Sequence, residues 1–141
     1  MKRSIKILLF SIIYLFLVSH VHANAEELFN RGKTNYRIVL SSNASKTEET
    51  AANELATYLK QISGTTFEIT GTPGERNIYV GYDSANKVFK RLTAYKNDDD
   101  GFMVMTIGSD IVIFGGKERG TMYGVYRFLE TLFGVEWYTP T

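Results

Sequence analysis

The residue types best suited to proton transfer, nucleophilic attack and metal binding are nearly missing from this chain. It has no cysteine, and its two histidines, His20 and His22, sit at the end of an apolar N-terminal segment. Beyond residue 23 neither type occurs. Cys/His zinc sites, Ser-His and Cys-His nucleophile pairs and histidine acid–base catalysis are therefore excluded for that part. Carboxylates remain. Glycoside hydrolysis can run on two acids that face each other across a cleft. Asp83, Glu118 and Glu136 are candidates, but nothing in their spacing selects a pair. Asp98-Asp99-Asp100-Gly101 lacks the alternating ligands and distal Glu of a calcium loop and reads as a solvated turn before a strand. The run from Gly115 to Thr121, GGKERGT, joins a strand to a helix N-terminus, a geometry that holds anions. Lys117 follows the glycine pair too early for a P-loop, and no Gly-Lys-Ser/Thr occurs. The plainer reading is a tight turn in which Arg119 packs or pairs. Tyr79, Tyr82, Tyr123, Tyr126, Trp137 and Tyr138 offer rings for stacking on sugars, although aromatic stripes at strand or helix spacing are more often core.

The elements that must position these residues follow from periodicity. Tyr36 to Leu40 alternates as a first strand, with Tyr36, Ile38 and Leu40 on one face. Asn43-Ala44-Ser45 is formally a glycosylation sequon. Ser45-Lys46-Thr47-Glu48 matches a capping box, and a helix is predicted from there to about Ser63. Its stripe is Ala51, Ala52, Leu55, Leu59 and Ile62, with Gly64 as C-terminal cap. Phe67-Glu68-Ile69 and Asn77 to Gly81 read as the second and third strands. A short helix is predicted over Ser84–Leu92, with Val88, Phe89 and Leu92 inward, and a polar loop over Lys96–Asp100. Gly101–Ile107 and Asp110–Phe114 form a hairpin joined at Gly108-Ser109. Both faces of that hairpin are apolar, so both should be covered. Only two substantial helices are predicted, enough for one face, and the other face is expected to receive a further domain. The second main helix follows Gly120, with Met122, Tyr126, Leu129 and Phe133 as its stripe and Tyr123, Val125 and Leu132 flanking. Gly124 within it costs about 1 kcal/mol against Ala and implies a tight helix–sheet approach. Gly134 ends the helix. Val135 to Tyr138 then leaves as an extended segment, and the stop at Thr141 reads as a cut end.

The N-terminus reads as a secretory signal. Lys2, Arg3 and Lys6 are its basic region, Ile7 to Val18 its apolar run, and Val21-His22-Ala23 its cleavage site. The run is short for a membrane span, with an uncleaved N-terminal anchor as the alternative, and the lack of cysteine excludes attachment through a lipobox. Cleavage after Ala23 leaves 118 of the 141 residues, one domain able to bury a core. Taking the three signal charges from the 16 basic residues leaves 13 against 15 acidic, a balance of −2. That carries no footprint for nucleic acid or an anionic membrane.

From Gly115 to Pro140, GGKERGTMYGVYRFLETLFGVEWYTP resembles the closing motif of the N-terminal domain of bacterial α-glucuronidases and related secreted glycoside hydrolases. Hexosaminidases have a more distant equivalent. Tyr36–Ser41, Ser45–Glu48, Ala51–Leu55, Ile62–Gly64, Ile78–Gly81 and Asp100–Phe102 fit the same pattern, so the likeness covers nearly all of residues 35–140. The resemblance implies an α+β fold, a two-layer α/β sandwich whose mixed β-sheet carries two main helices on one face. With residues 1–23 read as signal peptide and 24–34 as a polar leader, the resemblance implies 35–141 as the domain. It implies no cofactor and no catalytic residue here. The catalytic barrel would begin near Pro140 and act on a polysaccharide or oligosaccharide. That barrel is the expected partner, with Tyr123, Trp137 and Tyr138 at the interface and Arg119 reaching a substrate carboxylate, which its planar fork suits. A secreted or periplasmic location follows. A stand-alone carbohydrate-binding module is the alternative.

Overall fold

The computed structural model describes residues 28–90, 92, 100–116 and 119–138. The signal, the cleavage site, Asp98, Asp99, Lys117, Glu118 and Pro140 lie outside them. The elements run β1 (Tyr36–Leu40), α1 (Lys46–Ser63), β2 (Ile69–Thr70), β3 (Arg76–Val80), α2 (Tyr82–Asn86), β4 (Phe102–Ile107), β5 (Asp110–Gly115) and α3 (Gly120–Phe133). The strands form one sheet in the order β2-β1-β3-β5-β4. β1 lies parallel to β2 and β3, and β3 parallel to β5. Only β4 runs antiparallel, against β5. The sheet is therefore mixed and the class α+β, as expected.

Two side-chain layers hold this sheet. On one face α1 and α3 bury Ile38, Leu55, Leu59, Ile78, Ile113, Val125 and Leu129. Each such side chain contributes about 1.5–3 kcal/mol relative to exposure. The other face carries Val39, Tyr79, Val112 and Phe114, buried under Ala85 and Leu92 with Phe89 packed alongside. The chain thus covers the middle of the second face from within, and the expectation that this face waits for another domain is corrected. A segment of about ten residues suffices because those four side chains sit at the sheet centre. Its helix is shorter than predicted, and Val88 points to solvent while Ala85 takes the inward place.

α1 starts and stops as its sequence demands. Ser45 Oγ accepts from the Glu48 N–H, and the Ser45 N–H donates to Glu48 Oε2 at 2.8 Å. Gly64 ends the helix at φ 71°, its N–H donating to the Lys60 carbonyl. Ile62, expected inward, is exposed in the last turn of α1. β2 begins at Ile69 rather than Phe67; the Phe67 ring instead enters the α1–α3 core. Replacing Ser45 by Ala leaves the Glu48 N–H without its cap. The expected loss is about 1 kcal/mol, read as a fall of about 4 °C in the thermal midpoint.

α3 is more deeply set than its predicted stripe. Thr121, Gly124, Val125, Phe128 and Leu129 are buried, while Met122, Tyr126, Leu132 and Phe133 are partly buried around the same core. The helix touches both the sheet and α1, so its apolar arc is wider than one stripe. At Gly124 an added Cβ would lie 2.9 Å from Ile113 Cγ2. The glycine marks close helix–sheet contact, as expected.

Candidate functional site

The Gly115–Thr121 turn is built for backbone contact. The Gly116 N–H donates to the Gly101 carbonyl at 2.9 Å, the Gly120 N–H to the Gly116 carbonyl at 3.2 Å, and the Gly115 N–H to Thr121 Oγ1 at 3.1 Å. These donors would be needed to cradle an anion, and they already have protein partners. Arg119 stands exposed at the helix entrance, with Nη2 3.4 Å from Asp100 Oδ2. Both side chains are open to water, so the pair is worth at most about 1 kcal/mol. Arg119→Ala should shift the thermal midpoint by no more than about 4 °C. A larger loss would mean that the arginine holds the turn together.

Of the three aromatics expected at an interface, Tyr123 and Tyr138 are exposed and Trp137 is half-buried. Tyr123 is partly exposed on the first turn of α3. Trp137 follows the end of that helix in a non-helical exit segment. Its ring packs between Tyr58 of α1, at 4.9 Å, and Tyr126 of α3, at 4.3 Å. Trp137 is thus engaged inside the domain; its indole N–H finds no acceptor among the described residues. Tyr138 is 84% exposed, and its hydroxyl donates to Glu136 Oε2. That carboxylate bond and residual desolvation raise the Tyr138 pKa. Burial raises Tyr79, with Asp110 adding to it, and burial also raises Tyr126, with Glu54 and Tyr58 contributing. These shifts move the phenols further from ionisation near neutral pH, opposite to what a catalytic base needs.

The carboxylates are dispersed. Asp83 is exposed in the first turn of α2. Glu136 is bonded to Tyr138. Asp110 accepts from the Asn77 backbone N–H at 2.8 Å and from Asn77 Nδ2 at 3.1 Å, which fastens β3 to β5. Two acids that the sequence did not single out share an open cleft of about 400 Å³: Glu68 and Glu75, with Arg37 and Tyr36. Both are exposed, and Glu68 lies 3.4 Å from Arg37 Nε. Neither carboxylate is sheltered from water there. No periodic or motif signal links positions 68 and 75, which only the fold brings together. A second groove, of about 380 Å³, lies between β4 and α3. Phe102, Val104, Phe128 and Leu132 line it with Arg127, and no carboxylate does. Among the described residues no cluster of three or more His, Cys, Asp or Glu is placed to hold a metal.

A mixed sheet backed by two helices, with its acids scattered over the surface, defines a small α+β sandwich domain. The chain belongs to the family described as "Glycosyl hydrolase family 67 N-terminus", whose model matches residues 21–128. It is therefore a glycoside-hydrolase-associated domain, and the resemblance read from its motifs holds. Solved structures share the fold. One is a family GH115 4-O-methyl-α-glucuronidase with specificity for decorated arabinogalactans. It superposes with a TM-score of 0.58 at 23% identity over 72% of this chain. Another, a GH138 enzyme targeting pectin rhamnogalacturonan II, gives 0.51 at 19% identity over 75%. At such identities the likeness is one of fold. This chain spans 14% and 11% of the length of those two proteins. No curated protein sequence matches the chain.

Proposed function

We propose that this chain is a non-catalytic support domain of an exported, α-glucuronidase-like glycoside hydrolase that acts on polysaccharide or oligosaccharide. The observation that carries the reading is the family match over residues 21–128 to a domain named for its N-terminal position. The site supports it. Neither cleft shelters an acid pair from water, and the mature chain has no histidine or cysteine to take over the chemistry. In this reading a catalytic barrel of the same polypeptide supplies the acids and binds the carbohydrate. Tyr123 and Tyr138 are exposed aromatics available to contact it, and Arg119, at the surface beside Asp100, is a cation available to a substrate carboxylate. Export rests on the basic and apolar N-terminal segment. Among the described residues no helix is long and apolar enough to cross a membrane.

The reading is tested with the purified protein, an aryl α-glucuronide and a set of glucuronic-acid-bearing oligosaccharides. The expected result is no hydrolysis above the uncatalysed rate and no saturable heat of binding at millimolar sugar. Turnover abolished by Glu68→Gln or Glu75→Gln would assign chemistry to the open cleft and overturn the proposal. Saturable binding without turnover would make the domain a carbohydrate-binding module instead.

A further inference from the structure

The two edges of the sheet are protected very differently. β2, at one edge, is two residues long, too short to template another strand. β4, at the other, is six residues long, and among the described residues it pairs only with β5. From Phe102 to Ser109 it has no charged residue and no proline, the usual guards of an edge.

The register shows which backbone groups are open. Hydrogen-bonded and non-bonded pairs alternate along an antiparallel ladder. The Gly116 N–H bonds to the Gly101 carbonyl at 2.9 Å. Met103 opposite Phe114, Met105 opposite Val112 and Ile107 opposite Asp110 continue the same alternation. The odd-numbered residues of β4 thus turn their N–H and C=O groups to β5, and Phe102, Val104 and Thr106 turn theirs outward. Those same three residues have exposed side chains, Phe102 at 41% and Val104 at 38%. Their side chains share the α3 face, opposite Gly115, Ile113 and Ile111, and border the apolar groove against Phe128 and Leu132.

We propose that β4 is a homodimer edge, pairing with β4 of a second copy, antiparallel, about a two-fold axis at Val104. The inference stands apart from the reading of function. A second copy fits this edge on three counts. The outward backbone groups are symmetric about Val104, so Phe102 meets the partner's Thr106 and Val104 meets the partner's Val104, each pair exchanging two hydrogen bonds. The pairing sets large against small: the Phe102 ring falls beside the partner's Thr106, into the groove under Phe128 and Leu132. The ladder brings no charge against its like, and Arg127, the groove's cation, lies 3.2 Å from Glu130 of its own helix. The short β2 edge then faces outward on both sides, so assembly closes at two copies instead of growing into a fibre. A six-residue edge, about 20 Å long, buries less than the roughly 800 Å² per partner of a standard interface, so the dimer is a concentration-dependent one.

The test is sedimentation equilibrium of the full chain from about 10 μM to about 1 mM, the range in which such weak association registers. Mass rising toward the dimer is expected. Val104→Lys sets two like charges directly opposite across the axis and should keep the protein monomeric with an unchanged circular dichroism spectrum. Because the chain has no cysteine, single thiols report proximity. Val104→Cys should be joined by a short bis-maleimide at least about tenfold faster than the exposed control Val88→Cys, since pairing raises the local thiol concentration. Monomer throughout the range, association that survives Val104→Lys, or equal crosslinking at the two positions overturns the proposal. Should Val104→Lys not fold, the crosslinking comparison decides, because it leaves the edge uncharged.

Discussion

Gly120→Ala is expected to lower stability by about 3 kcal/mol or more, enough to bring down the thermal midpoint by about 12 °C in a domain of this size. The reason lies in three glycines from three segments. A Cβ on Gly120 would run into the Gly101 carbonyl oxygen and lie 2.9 Å from Gly115 Cα. A Cβ on Gly115 would in turn strike the backbone of Gly120. Both obstacles are main chain, so no rotamer change relieves them. The obstructing carbonyl also receives the Gly116 N–H, and moving it breaks the start of the β4–β5 ladder. Gly108→Ala is the contrast. Gly108 has φ 62° but nothing within 4 Å of an added Cβ, so its loss should be the left-handed backbone cost alone, about 1 kcal/mol. Thermal melts of the two variants side by side check this. Equal small losses would mean that the turn relaxes freely and that the triple-glycine contact does not hold α3 on the sheet.

That contact also shows where sequence reading runs out. The capping box of α1, the caps at Gly64 and Gly134 and the hairpin at Gly108-Ser109 are local devices, set by residues within a few positions of each other, and each stands where the sequence places it. Gly115 and Gly120 suggest an anion-binding loop when read alone. Gly101, the residue that explains them, is remote in sequence, and only the antiparallel return of β5 along β4 brings it alongside. The strand order is non-local in the same way, because nothing in β1 specifies β3 as its neighbour. A single apolar stripe understates the burial of α3, because Thr121 and Gly124, which no apolar count includes, are contact residues in a close approach. The cover on the second sheet face is not legible in the sequence, because a five-residue helix and the turns after it carry little periodicity yet bring Ala85, Phe89 and Leu92 over Tyr79, Val112 and Phe114. For the site, composition alone excludes histidine and cysteine chemistry beyond residue 23, whereas the shared cleft of Glu68 and Glu75 depends on the fold.

Leu129→Ala tests the other support of α3, its apolar contact with α1. Leu129 is fully buried in the core cluster that holds Leu55, Leu59 and Val125. Truncation removes three carbon atoms from a close-packed site flanked by two helices and a sheet. The glycine contact at the helix start leaves α3 little freedom to settle into the gap, so the expected loss is about 3 kcal/mol, midway in the range for such cavities. The chain's single tryptophan reads out the same junction, since Trp137 packs on Tyr58 of α1 and Tyr126 of α3. If the α1–α3 layer and the sheet unfold as one unit, Trp137 fluorescence and far-ultraviolet circular dichroism should fall together in urea, with an unchanged slope and an earlier midpoint. A fluorescence change that precedes the loss of helix would show that the aromatic exit segment detaches first. The layer would then be two cooperative units, and Trp137, Tyr58 and Tyr126 would form a latch instead of a continuation of the core.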